Sequence, residues 1–332
     1  MGLRLTNKRF LHGALTLGMV ALLVYYARTV HWDAAWHAIQ SASPWLLLLA
    51  ALANIATVVS KALVWWLFLR PVGAPSLGLA MRATFAGAGI NNLLIANSGE
   101  AARAVLVTRS SEASGTGVVA ALALERLFDF IGYVLVLIGA AFLFPVPENV
   151  ARWRPEAIVV LGAIVVVLIA LLAHAPHPPP PDAHVTGVFK RVVRAFERFI
   201  ERLAHIVTIK RMGAALVLTV VNWATQIASY HLTARAAHFP ISLAGSITAM
   251  LLVNVGFLVR ATPGNMGVFQ LVYAVTAQAM GLSSDAAVGV ALLLQLVQNA
   301  PVTVLGAALA PDLMLAARRK KAPAAGAPQS AD

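Results

Sequence analysis

The sequence predicts an all-α protein, a polytopic membrane helix bundle of two inverted repeats, each holding a re-entrant broken helical hairpin. Three observations predict it. Sixty per cent of the 332 residues are apolar and only 11% are charged, where a soluble domain carries about a quarter; the mean hydropathy is +0.80. The apolar residues gather into runs of membrane-spanning length. Two of those runs are interrupted near their middles by Asn, Ser, Gly or Pro.

The N-terminal run at 10–27 follows Arg4, Lys8 and Arg9. It is longer than the apolar core of a signal peptide and no A-x-A site follows, so a retained helix is expected. Further uninterrupted spans are expected at 44–69, 117–144, 156–174, 212–233 and 285–309. At about 1.5 Å per residue each crosses a hydrocarbon core of about 30 Å. Trp45, Trp65 and Trp66, near the ends of the second span, suit an aromatic belt. Residues 77–108 break at Asn97-Ser98-Gly99, and 242–280 at Thr262-Pro263-Gly264-Asn265. The arms on either side are mostly too short to span, which predicts hairpins that enter and leave on one side, sheltered inside protein. His177-Pro178-Pro179-Pro180-Pro181 is a stiff extended linker. After it, residues 187–211 interleave Phe189, Val192, Phe196, Phe199 and Leu203 with Lys190, Arg191, Arg194, Arg198 and Arg202. That pattern is a basic amphipathic helix, expected on the anionic cytoplasmic leaflet; packing on the protein's own cytoplasmic loops is the alternative. Residues 312–332 are expected to form a disordered basic tail.

The chain carries 25 Lys and Arg against 13 Asp and Glu. Such an excess could signal nucleic acid, but here the basic residues flank the apolar runs, as the positive-inside rule and an anionic leaflet require. Suppose both termini are cytoplasmic and both hairpins return to their own side. Then Arg70, Arg82, Arg103, Arg109, the seven basic residues from Lys190 to Arg211, and Arg318-Arg319-Lys320-Lys321 all lie inside. Span, broken hairpin, span then occurs at 44–144 and again, inverted, at 212–309, an arrangement found in transporters. Ser98-Gly99-Glu100 aligns with Pro263-Gly264-Asn265, and Leu124-Glu125-Arg126-Leu127 with Leu294-Gln295-Leu296-Val297. Five regions result: an N-terminal helix and outer loop at 1–43, a first repeat with a connecting helix at 44–174, the linker and amphipathic helix at 175–211, a second repeat at 212–311, and the tail.

Ionisable residues at membrane depth are costly and usually line a pathway. Glu125, Arg126 and Asp129 sit two to three turns into one span, with Lys61 in another and Arg260 just before the second break. A purely structural ion cluster is the alternative. The breaks are a second candidate. With Ser98 and Asn265 as N-caps, two helix N-termini would face mid-membrane and suit a phosphate or carboxylate, with Arg103 and Arg260 adding positive charge. Alternatively, Gly99 and Gly264 only permit close packing. His31-x-Asp33-x-x-x-His37 and His174-x-x-His177 bring too few convergent ligands for a metal site. The sequence shows no phosphate-binding loop, no Ser/His/Asp constellation and no Cys. Neither an ATPase, nor thiolate chemistry, nor a cofactor is expected.

Three segments carry a family resemblance: Asn97-Ser98-Gly99-Glu100-Ala101-Ala102-Arg103, Leu124-Glu125-Arg126-Leu127-Phe128-Asp129 and Pro263-Gly264-Asn265-Met266-Gly267. In order and spacing they resemble the G-E-x-x-R, E-R-x-x-D and P-G-G-x-G segments of the lysylphosphatidylglycerol synthase transmembrane-region family. The resemblance covers nearly the whole chain. It implies a flippase-like membrane domain, related to the half of the multiple peptide resistance factor that moves aminoacylated phosphatidylglycerol between leaflets. It also implies that Glu100, Arg103, Glu125, Arg126 and Asp129 line a lipid pathway. The breaks add Ser98, Gly99, Arg260, Pro263, Gly264 and Asn265 as expected substrate-binding residues, with Lys61 and Gln270 in support. Asn265 departs from the second Gly of the family pattern, Gln270 stands where an acidic residue is common, and Asn97 where a basic residue often precedes the G-E. No soluble aminoacyltransferase domain is expected.

The expected function is that of a lipid flippase or lipid transporter moving an anionic or aminoacylated phospholipid, or a lipid-linked intermediate, across the inner membrane. A membrane-embedded enzyme or enzyme subunit of lipid or glycolipid synthesis, using Glu125 and Asp129 as acid and base, is the first alternative. A scaffold without transport is the second. Membrane phospholipids are the expected partners, with lipid-synthesis enzymes as candidates and nucleic acid excluded.

Overall fold

The apolar runs and their interruptions dictate the helices. The structure, a computed structural model, describes residues 28, 30–93, 98–143, 155–156, 159, 162–163, 206, 208–257 and 265–321. Among these every regular element is helical: α1 (Trp32–Gln40), α2 (Pro44–Leu69), a 3-10 turn (Arg70–Val72), α3 (Leu77–Leu93), α4 (Ser98–Ser110), α5 (Gly115–Leu143), α6 (Ile209–Ala236), α7 (Leu243–Gly256), α8 (Val268–Ala279) and α9 (Ser284–Lys321). Pro44 opens α2, where its missing N–H removes no helical bond. Ser114 caps α5 by accepting from Gly117 N–H at 3.2 Å. Pro44–Val72, Ile209–Ala236 and Ser284–Leu309 are long and apolar enough to cross a membrane. With 29 residues, α5 matches them in length and carries Glu125, Arg126 and Asp129 within it.

The described residues fall into two compact units. One is drawn from Met1–Ala56, Ile90–Ser98 and Ala224–Val302, the other from Thr57–Gly89, Gly99–Trp223 and Thr303–Asp332. In the first unit, α7 and α8 form an antiparallel hairpin, and its glycines show why. A Cβ on Gly245, near the start of α7, would lie 3.1 Å from Met280 Sδ at the end of α8, and one on Gly256 would lie 3.1 Å from Val272. Small residues thus let the two arms close on each other. The arms hold 14 and 12 residues, about 21 and 18 Å, both short of a hydrocarbon core. Ser242 caps α7, accepting from Gly245 N–H at 3.1 Å. In the same unit α1 rests on α9 through Ala35 and Gly289, where a Cβ would run into the Ala35 carbonyl. His31 Nδ1 pairs there with Asp285 Oδ2 at 2.9 Å. Pro301 supplies no N–H to the α9 ladder. The nearby Gln298 and Asn299 carbonyls accept from the Asn54 and Asn92 side chains, at 2.9 and 3.4 Å.

The second unit repeats the hairpin with α3 and α4. A Cβ on Gly87 would meet the Gly99 carbonyl at 2.8 Å and Arg103 Cβ at 3.2 Å. At the base of the hairpin Gly73, at φ 96°, would meet the backbone of Glu112 and Ala113 at 3.3 Å. The chain therefore leaves the hairpin beside the point where it entered. Trp65, Phe68, Leu69, Val107, Leu124 and Phe128 form the core, with the Phe68 and Phe128 rings 5.5 Å apart. In chain order a long helix, a helical hairpin and a second long helix thus occur twice, as α2 to α5 and as α6 to α9.

Several expectations need correcting. The tail was expected to be disordered from 312, but α9 continues to Lys321, because Leu, Met, Ala, Arg and Lys all favour helix. Lys210 and Arg211, expected in the amphipathic segment, form the first turn of α6, because Thr208 caps that helix by accepting from Arg211 N–H at 3.4 Å. Neither break is capped as expected. Ser98 lies within the first turn of α4 and its buried Oγ has no hydrogen-bond partner. Asn265 takes the left-handed conformation at φ 56°, which Asn tolerates better than most residues. The N-cap of α8 is instead Gly267, whose N–H donates to Gln270 Oε1 at 2.7 Å. The expected spans at 10–27 and 156–174, and the segment at 175–207, lie largely outside the described residues.

Candidate functional site

Three helices of the second unit bring six ionisable side chains into one line. Lys61 comes from α2, Glu100 and Arg103 from α4, and Glu125, Arg126 and Asp129 from α5. Lys61 Nζ lies 3.3 Å from Asp129 Oδ2, which also faces Arg126 Nη1 at 3.5 Å. Arg126 Nη2 donates to Glu100 Oε1. Glu100 Oε2 lies 3.5 Å from Arg103 Nε, and Arg103 Nη2 donates to Glu125 Oε2. The order Lys61, Asp129, Arg126, Glu100, Arg103, Glu125 alternates in sign from end to end. Its three cations balance its three anions.

Exposure is uneven along the ladder and lowest at its Arg103–Glu125 end. The Arg126 side chain is 48% exposed and Lys61 32%, whereas Arg103 and Glu125 are 5% and 2% exposed. Glu125 is the eleventh residue of α5, about 15 Å from the helix start. Burial of a charge there is tolerable only because a partner compensates it. Arg103 is held further by the Trp65 ring, whose centroid lies 4.3 Å from its Cζ, a cation–π contact that suits a guanidinium removed from water. Glu125 Oε1 is buried without a hydrogen-bond partner.

The residues expected to bind substrate thus divide. Glu100, Arg103, Glu125, Arg126, Asp129 and Lys61 come together, and Gly99 packs beneath Gly87 at their edge. Arg103 presents no loose charge at the break, because both of its neighbouring carboxylates engage it. Asn265 and Gln270 belong to the first unit, while Arg260, Pro263 and Gly264 lie outside the described residues. Gln270 Nε2 donates to Gln295 Oε1 at 2.5 Å, with both residues buried. The second arm of each hairpin is therefore bonded to the span that follows it. In one repeat the link is ionic, Arg103 to Glu125; in the other it is a neutral amide pair.

Two members of these links were not expected there. Trp65 lies one turn beyond Lys61 on α2, so its position beside the charges was readable from i, i+4 spacing. Gln295 stands opposite Glu125 when the two repeats are aligned, which is the signal that could have found it. His31, one of the weak metal candidates, is engaged by Asp285.

A comparison with the curated proteins gives no match. The family model described as the lysylphosphatidylglycerol synthase TM region matches residues 11–306. With helices long enough to cross a bilayer and a match over most of its length, the chain is an integral membrane protein and belongs to the lysylphosphatidylglycerol synthase transmembrane-region family.

Proposed function

We propose that this protein is a lipid flippase or lipid transporter of the inner membrane, moving an anionic or aminoacylated phospholipid, or a lipid-linked intermediate, between leaflets. The observation that carries the proposal is the ion ladder across three helices, part-exposed at Lys61 and Arg126 and buried at Arg103 and Glu125. At the exposed end a headgroup phosphate competes with Asp129 and Glu100 for Arg126 and Lys61. An ammonium on the same headgroup takes the carboxylate so released. Partners are exchanged without stranding a charge in low dielectric, while the acyl tails stay in the bilayer. The buried Arg103–Glu125 pair keeps α4 and α5 in register as this happens.

In this proposal the hairpins re-enter on their own sides, the repeats are inverted, and both termini are cytoplasmic. The basic segment 187–207 rests on the anionic leaflet, where each basic residue contributes about 1 kcal/mol. Membrane phospholipids are the partners, and lipid-synthesis enzymes supply the substrate.

The test is leaflet exchange of labelled lipids in liposomes, with expression and melting matched across variants. Arg126→Gln removes a charged hydrogen bond to the headgroup worth about 1.5–3 kcal/mol, so exchange should fall about tenfold or more. Arg126→Lys should retain part of the rate, supplying charge without the planar fork. Parental rates in both variants would leave the ladder a structural device.

A further inference from the structure

The first unit holds a second polar cluster that shares no residue with the ladder. On α8, Phe269 and Tyr273 lie one turn apart on one face. The Phe269 ring lies 6.2 Å from the Tyr230 ring of α6 and 6.0 Å from the Phe257 ring that follows α7. Tyr230 and Tyr273 are both buried in this unit, to which Gln298 of α9 also belongs, and the Tyr230 hydroxyl has no hydrogen-bond partner. One turn earlier on α9, Gln295 accepts from Gln270. Asn265 stands at the break, three residues ahead of α8. Among the described residues, the side chains of this cluster are all uncharged.

Its hydrogen bonding is incomplete. Tyr273 is 1% exposed and Asn265 8%, yet Tyr273 Oη and both amide atoms of Asn265 have no hydrogen-bond partner. Buried polar groups are normally paired, and each unmatched one in an apolar setting is costly. Packing alone does not account for them. Phe would fill the place of Tyr273 without the hydroxyl, and Gly would adopt the backbone of Asn265 without the amide.

Resting on the lipid-transport proposal, we infer that this cluster binds the uncharged, hydroxyl-bearing part of a ligand, a glycerol or sugar headgroup. An amide and a phenol together offer a donor and an acceptor at each point, which matches neighbouring hydroxyls that must both give and receive a bond. The aromatic walls and few polar groups are the usual composition of a small-molecule site. Phosphate or ammonium would enter here without a counter-charge and is disfavoured.

The test uses the full-length protein in phosphatidylcholine nanodiscs, free of glycoside detergents that would themselves present sugar. Monoglucosyl-diacylglycerol in the bilayer should raise the melting temperature by about 3 °C through ligand-linked stabilisation. Tyr273→Phe and Asn265→Gly, the latter keeping the left-handed backbone, should each reduce that shift to about 1 °C or less. Both should leave the response to phosphatidic acid at its parental size. Free glucose is the arm without tails: an equal shift there supports the site and identifies a soluble polyol as its ligand. A parental glucolipid shift in both variants, or no shift in the parent, overturns the site. Leaflet exchange is read on the same preparations. Its absence alongside an intact glucolipid shift removes the transport proposal alone, and the converse removes this site alone.

Discussion

Removing Arg103 affects its two carboxylates differently. Glu100 keeps Arg126, whereas Glu125, 2% exposed, loses the cation that faces it. Arg103→Leu should therefore destabilise by about 3–5 kcal/mol, the cost of breaking a buried pair from one side, measured as a loss of melting temperature in detergent. Arg103→Met combined with Glu125→Leu should recover most of that loss, because an apolar pair has no charge to strand. If the double variant is as unstable as the single, the pair is not the main stabilising contact. Part of this site was legible in the sequence. The Arg126–Asp129 contact follows from i, i+3 spacing on one helix. Arg103–Glu125 and Arg126–Glu100 join residues 22 and 26 apart in sequence on two helices, and only the packing of α4 on α5 brings them together. Spacing alone left Glu125 paired with its own helix, and the family motifs were the sole hint that the two segments share a site.

The helices themselves were more legible than their ends. Run length and composition place α2, α5, α6 and the interruptions between hairpin arms, because a lipid-facing helix must be apolar over its whole length. The ends are decided by local hydrogen bonds that compete. Asn is as good an N-cap as it is a left-handed residue, and at 265 the second role prevails, leaving Gly267 and Gln270 to start α8. Contacts between spans are also invisible to hydropathy. Gly132 of α5 faces α6 so closely that a Cβ would overlap the Trp223 indole and Thr219. Gly132→Ala should thus destabilise by about 1–3 kcal/mol through overpacking. Adding Trp223→Leu should relieve most of it, with melting of the single and double variants as the check. No rescue would mean that the two spans separate rather than clash.

For the whole chain, the sequence carries its strongest information in the distribution of basic residues, since spans and hairpins alone do not say which side is which. Single Cys substitutions are clean in a chain that has none. Lys190→Cys should react with an impermeant maleimide only after the membrane is opened; labelling of intact cells would place the linker outside and overturn the proposed topology. The balance of signs in the ladder has a further electrical consequence. Carrying one elementary charge through a membrane potential of 100 mV takes about 2.3 kcal/mol of work. Lys61, Arg103 and Arg126 are matched by Glu100, Glu125 and Asp129, so moving the ladder as a block through the field does almost none. A net-neutral lipid should then exchange at the same rate whether liposomes are held at zero or at a potassium diffusion potential. A lipid bearing one net charge should respond with the valence of its own headgroup. Voltage dependence with the neutral lipid would mean that the ladder parts as the cargo crosses, and its steepness would count the charges left behind.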